Sequence, residues 1–240
     1  MSYQRDISLR TTSLAYRLSR GTLEFTAISE WMVLPVRDTG VWHLVPNAVP
    51  VDRFRFQPSV HDDAPLVFLG RVEPIKGPDV AIEIARLSGR RLVIAGNVPA
   101  GYEDFFNQRI RPHVDGDRVR YIGAVDDEQK NELLGGAAAF LMPISWEEPF
   151  GIVMIEAMAC GTPVLGFRRG AVPEVVDDGS TGFVRDTAAE LAQMVARLGE
   201  IDRSACRRHV EAQYSSDVIV DRYIDIYRAM VKRRGALRAA

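Results

Sequence analysis

Between Pro65 and Val184 short apolar runs alternate with helix-length segments, and this rhythm narrows the possible folds more than any other feature. Leu66 to Leu69, Arg91 to Ala95, Arg118 to Ile122, Ala138 to Met142, Pro163 to Phe167 and Thr181 to Val184 read as strands. Pro78 to Ser88, Tyr102 to Ile110, Asp126 to Leu134 and Ile152 to Cys160 read as helices between them, the third opened by an aspartate cap. Strands separated by helices of this length run parallel and are covered on both faces, which predicts an α/β, doubly wound parallel sheet. Ligands of such sheets bind beyond the carboxyl ends of the strands, so the residues that follow each strand are the ones to search.

Before this block, residues 8 to 21 read as a helix, and Leu23 to Ile28 and Val41 to Pro46 as short strands, followed by a turn-rich stretch to Ala64. After it the tail is helical: Thr187 to Leu198, Ile201 to Gln213, and Ser216 to about Arg233, the last with an apolar stripe from Val218 to Met230. There is no internal repeat and no G-x-G-x-x-G, which argues against a nicotinamide or flavin domain of the usual fingerprint.

One joint of the pattern is a candidate anion site. The apolar run Ala137 to Pro143 breaks into the polar turn Ile144-Ser145-Trp146-Glu147-Glu148-Pro149-Phe150-Gly151, and the helix from Ile152 stops at Gly161-Thr162-Pro163. A helix that begins at Gly151 offers unpaired N–H groups and the positive end of its dipole, and glycine lets a phosphate or sugar come close. Glu148 lies in the loop, and Glu156 sits in the helix among Ile152, Val153, Ile155, Ala157 and Met158, where an unpaired carboxylate is costly. Glu156 is therefore expected to accept hydrogen bonds, either from a polyhydroxylated ligand or from a backbone or arginine. Glu147 and Glu148 read equally as solvated loop acids.

A second constellation, Leu69-Gly70-Arg71-Val72-Glu73-Pro74-Ile75-Lys76-Gly77, follows the first strand of the sheet. Gly70 is expected to free the turn, Arg71 to offer a planar fork of donors, and Lys76 a compact positive charge, a pair suited to a diphosphate. Asp126, Asp127 and Lys130 read, on physics alone, as a helix start with an ordinary surface lysine.

Glu148 and Glu156 at this spacing, with Pro149-Phe150-Gly151 and Ala157-Met158-Ala159-Cys160-Gly161-Thr162-Pro163-Val164 behind them, resemble the signature of retaining family 4 glycosyltransferases of GT-B architecture. Gly70-Arg71 and Lys76-Gly77 resemble that family's diphosphate-binding pair. The resemblance covers about residues 23 to 233. It implies a Rossmann-like, C-terminal half of a GT-B enzyme in 46–215, a remnant of the N-terminal domain in 1–45, and a crossing helix in 216–240. It implies transfer of a hexose from a nucleotide-sugar, with a UDP-sugar the expected donor and no metal or other cofactor. Arg71, Lys76 and Glu148 are the implied catalytic residues. Gly70, Val125, Phe150, Gly151, Ile152 and Glu156 are the implied donor-binding ones, with Val125 in a loop against the nucleobase, Glu156 on the ribose and Glu148 on the hexose. The family's acceptor domain lies almost wholly outside this sequence. A homodimer or a partner chain that supplies it, a nucleotide-sugar-binding module without transferase activity, and a GT-B sugar-nucleotide epimerase are the alternatives.

Composition sets the remaining bounds. A net charge of −2 gives no bulk reason to expect nucleic acid, and Trp31, Trp42 and Trp146 form no stacking row. The four histidines are not spaced with cysteines or carboxylates as a metal set, and two cysteines imply no disulfide framework. No run approaches the roughly 18 apolar residues of a spanning helix. A cytoplasmic protein is expected, with the basic end Ala229 to Arg238 making peripheral membrane contact at most.

Overall fold

The computed structural model describes residues 1–3 and 7–239, with side chains through Arg233. The chain opens with β1 (Ser2–Tyr3), α1 (Leu9–Leu18), β2 (Glu24–Ala27), α2 (Glu30–Val33) and β3 (Val41–Leu44). The three strands pair in parallel in the order β1-β2-β3, with Thr26 opposite His43. β2 and β3 lie within the runs read as strands, whereas β1 and α2 are too short to leave a periodic signal. Phe25 is fully buried and stacks on Trp42 with ring centres 4.7 Å apart.

From Leu66 the elements run β4 (Leu66–Leu69), α3 (Pro78–Ser88), β5 (Leu92–Ala95), α4 (Glu103–Phe105), β6 (Val119–Tyr121), α5 (Asp127–Gly135), β7 (Ala139–Met142), α6 (Ile152–Ala159), β8 (Val164–Phe167), α7 (Val172–Val175), β9 (Gly182–Arg185), α8 (Ala188–Val195), α9 (Arg203–Gln213) and α10 (Ser216–Ala239). The strands form one six-stranded parallel sheet in the order β6-β5-β4-β7-β8-β9. All four residues of β5 and of β7 are buried, as a sheet covered on both faces requires. The strand order reverses between β4 and β7. The chain therefore leaves these two neighbours in opposite directions, and a crevice opens beyond their carboxyl ends.

One helix departs from expectation. Tyr102 to Ile110 has a helical pattern, yet α4 covers one turn and continues as a π-helical stretch, Phe106–Ile110, and a 3-10 turn, Arg111–His113. Pro112 supplies no N–H and its ring meets the carbonyl four residues back, so a regular α-helix cannot run through it.

Two elements of the tail tie the molecule together. Arg203 of α9 is buried, without a carboxylate partner among the described residues. Its guanidinium donates to the carbonyls of Gln57, Gly135 and Ala137 and to Thr162 Oγ1 at 2.8–2.9 Å, which satisfies the end of α5. α10 reaches back to the first sheet, where Arg233 donates to both carboxylate oxygens of Glu24. Its apolar stripe is split: Tyr223, Ile226 and Met230 line a cavity with Thr26 and His43, while Val220, Ile224 and Val231 are exposed. No helix among the described residues is long and apolar enough to cross a membrane.

Candidate functional site

The loop after β7 ends at Gly151, which sits in the left-handed region at φ +79°. A Cβ there would fall 2.8 Å from the Met154 methyl and 3.0 Å from that of Met142, side-chain ends that can move, so it is the left-handed backbone that calls for glycine. α6 opens directly behind it with no side-chain cap. The first N–H groups of α6 therefore face the crevice between β4 and β7 with the positive end of the helix dipole.

The loop after β4 closes onto this one. Gly77 lies at φ +73°, and a Cβ on it would come within 2.1 Å of the Pro143 carbonyl oxygen. Ser145 N donates to Ile75 O at 3.0 Å, which laces the two loops together. Lys76 Nζ then reaches Glu148 Oε2 at 2.5 Å and lies 4.7 Å from the Trp146 ring centre, and Trp146 Nε1 donates to the same Glu148 oxygen at 3.1 Å.

Each of three cations of this edge faces a carboxylate. Arg71 Nη2 is 2.8 Å from Glu73 Oε1, Lys76 pairs with Glu148, and Lys130 Nζ is 2.8 Å from Glu156 Oε1. Glu73 is almost fully buried, while the Arg71 side chain is 55% exposed, so this arginine stays open to a ligand. Desolvation pulls the Lys130 ammonium down, but Glu156 and then Asp127 outweigh it, and its pKa lies above the ordinary lysine value.

Arg71, Lys76, Glu148, Phe150, Gly151 and Ile152 line a single cleft of about 210 Å³, together with Ile28, Asn47, Trp146 and Pro149. The segment that follows β2, Ser29 and α2, contributes directly. Ser29 Oγ donates to Pro149 O at 2.7 Å and Trp31 Nε1 to Glu148 O at 3.2 Å. Glu174 accepts from the N–H groups of Glu30 and Trp31, anchoring the segment that carries both contacts. Gly170 lies against the same loop, where a Cβ would meet Glu148 O at 2.3 Å.

Six of the nine residues singled out from sequence thus share one cleft. Gly70 is not among the residues lining the cleft and is not the glycine the turn needs. Its backbone lies outside the left-handed region, whereas Gly96, at φ +138°, would place a Cβ 1.8 Å from Gly70 O. Val125 lines a different hollow, with Arg120, Ile122 and Gln129. Glu156 sits one helical turn beyond Ile152 and accepts from Lys130, so the ordinary surface lysine of the sequence reading is a half-buried ion-pair partner. Sequence reasoning gave no role to Glu73, Ser29, Trp31 or Asn47. A buried glutamate set between Arg71 and Lys76 was the one available hint. Among the described residues no group of three or more His, Cys, Asp or Glu side chains is placed to hold a metal ion.

The chain matches the model of the glycosyl transferases group 1 family over residues 51–214. It is 30% identical over 197 residues to the D-inositol 3-phosphate glycosyltransferase of Acidothermus cellulolyticus, an alignment that takes in 73% of this chain and 43% of that protein. The chain therefore spans less than half the length of this curated relative. Among solved structures, Anabaena HepE in complex with UDP and glucose superposes with a TM-score of 0.75 at 19% identity, over 96% of this chain and 71% of that one. AviGT4, a glycosyltransferase involved in avilamycin A biosynthesis, superposes with a TM-score of 0.70 at 28% identity, over 87% and 64%. The switch-point sheet is the Rossmann-like parallel α/β fold of GT-B glycosyltransferases, and the chain belongs to the glycosyl transferases group 1 family.

Proposed function

We propose that this chain is the donor-binding half of a retaining family 4 glycosyltransferase, which moves a hexose from a nucleotide-sugar, a UDP-sugar in the first instance, to an acceptor hydroxyl. The observation that carries the reading is the meeting of Arg71, Lys76, Glu148 and the Gly151 end of α6 in one cleft at the switch point. The diphosphate lies between Arg71, Lys76 and the first N–H groups of α6. Glu148 accepts from the hexose hydroxyls, Glu156 from the ribose, and the backbone of the Val125 loop meets the base. As the bond from the anomeric carbon to the phosphate oxygen breaks, negative charge grows on the leaving diphosphate, where fixed cations and N–H groups stabilise it without reorganising. The acceptor oxygen attacks from the face the diphosphate leaves, and its proton passes to a phosphate oxygen, which retains the configuration. In this reading Arg71, Lys76 and the N–H groups of α6 are the groups assigned to the diphosphate, with no metal or other cofactor called on.

A second reading draws on a relative that is a subunit, the gpi3 subunit of the phosphatidylinositol N-acetylglucosaminyltransferase of Schizosaccharomyces pombe, 28% identical over 197 residues. The chain is then a nucleotide-sugar-binding half whose transfer activity depends on a partner chain carrying the acceptor domain.

Calorimetric titration with UDP, ADP and GDP, and with their glucose conjugates, in buffer without divalent metal tests both readings. Binding of one nucleotide that is lost in Lys76→Ala supports the donor site, and no binding of any overturns it. Transfer to water or to simple alcohol acceptors by the chain alone favours the first reading over the second.

A further inference from the structure

Lys130 closes the first turn of α5, the end of a helix where the macrodipole disfavours a cation. It is nevertheless held there, its side chain 21% exposed, with Nζ 2.8 Å from Glu156 Oε1, 3.3 Å from Asp127 Oδ1 and 5.6 Å from the Phe54 ring centre. Asp127 is 93% exposed, so its pairing is screened by water, and Glu156, at 13%, is the strong partner. Glu156 uses one oxygen for this contact. Among the described residues its other oxygen, Oε2, has no hydrogen-bond partner, and the residue lies one turn along α6 from Ile152, which lines the donor cleft.

We infer that Lys130 is a positioning residue: it fixes the Glu156 carboxylate so that Oε2 faces the ribose hydroxyls, and so makes the site prefer ribonucleotides to 2′-deoxyribonucleotides. The inference rests on the donor-site reading given above. A glutamate side chain with three free torsions loses much of its hydrogen-bonding power to rotamer entropy, and a fixed ammonium on one oxygen removes that freedom before the ligand arrives. α5 itself is steadied against the 53–55 segment, because Asn131 Nδ2 donates to Arg53 O while its Oδ1 accepts from Arg55 N, and Cys160 Sγ, at the end of α6, lies 3.8 Å from the same Oδ1. The lysine thus approaches Glu156 from a rigid element. Charge also matters. With Lys130 in place the pair is neutral, and a diphosphate can approach without meeting an uncompensated carboxylate.

The test compares, for whichever of UDP, ADP and GDP binds, the ribose and 2′-deoxyribose forms by calorimetry. In the unaltered chain the ribose form is expected to bind on the order of tenfold or more tightly, the worth of a hydrogen bond to a charged group. Lys130→Met keeps the aliphatic stem over Phe54 and removes the ammonium. It should bring the ratio to within about twofold; the unpaired Glu156 carboxylate should also lower the affinity for inorganic pyrophosphate, a loss common to both sugar forms that leaves the ratio as the readout of the ribose contact. Lys130→Arg restores a donor and should restore most of the ratio. Thermal melts show whether each variant is folded, and the Arg variant keeps the test open if the Met variant is not. An unchanged ratio in Lys130→Met, with the unaltered chain selective, overturns the role of Lys130 and leaves the donor site standing. A chain that binds both sugar forms alike overturns the ribose contact of Glu156 and this inference with it.

Discussion

Lys76 and Glu148, 72 positions apart in sequence, form one ion pair in the cleft, and Trp146 donates to the same glutamate oxygen. Glu148 is therefore two things at once, a counter-ion for Lys76 and an acceptor aimed at the ligand. Lys76→Ala should weaken nucleoside diphosphate binding by roughly tenfold or more, since it leaves the partly buried Glu148 without its cation. Glu148→Ala should act oppositely on the bare nucleotide. Freed from its partner, Lys76 meets the diphosphate at full charge, so affinity for the free nucleoside diphosphate holds or rises, while the extra affinity contributed by the hexose is lost. Titration of each variant with UDP and UDP-glucose separates the two effects, and equal losses for both ligands in Glu148→Ala would sink the hexose assignment.

Gly77 controls how closely the two loops approach. Its left-handed backbone and the Pro143 carbonyl 2.1 Å from a built Cβ leave no room for a side chain. Gly77→Ala should cost about 2 kcal/mol or more in stability from backbone strain and the clash together. It should also push Lys76 away from Glu148, lowering nucleotide affinity beyond what instability alone explains. A thermal melt together with a titration well below the melting temperature checks this, and a lower melting temperature with full affinity would show that the Gly77–Pro143 contact does not position Lys76.

The strands of the main sheet and the glycine stop of α6 were legible because each is written in local pattern, and the shared sheet edge of Arg71, Lys76 and Gly151 followed from the rule that the loops beyond strand carboxyl ends gather at one edge. Buried strands are apolar runs, and a helix start after a glycine is a spacing. The ion partners were not legible in the same way. Lys130 lies 26 positions from Glu156, and Trp31 lies 117 from Glu148. No periodicity links such residues, and their meeting depends on how α5 packs on α6 and how α2 rests on the β7–α6 loop. Gly96 shows the same limit at the backbone. The crowding that demands a glycine comes from the neighbouring strand's exit, at Gly70 O, and sequence reading places the constraint on Gly70 itself.

Both cysteines are buried in the main domain, and burial pushes the thiol of Cys160 up to about 11 and that of Cys206 up to about 12, against an ordinary value of 9.0. Neither is a thiolate at neutral pH, so neither should react with iodoacetamide in the folded chain at a measurable rate, and alkylation should follow unfolding. The same burial makes stability depend on alkali. The folded state holds these protons more tightly than the unfolded chain, so their contribution to stability is fully present below pH 9.0 and is lost as pH rises toward about 11 and 12. Urea unfolding at pH 7.5 and pH 10 should show a lower midpoint at the higher pH in the unaltered chain. Cys206→Ala removes the more strongly shifted group at the cost of a small cavity and should reduce that difference. An undiminished difference in this variant would place the alkaline sensitivity elsewhere, with Tyr214 next in line, because burial raises its hydroxyl to about 12 from an ordinary 10.0.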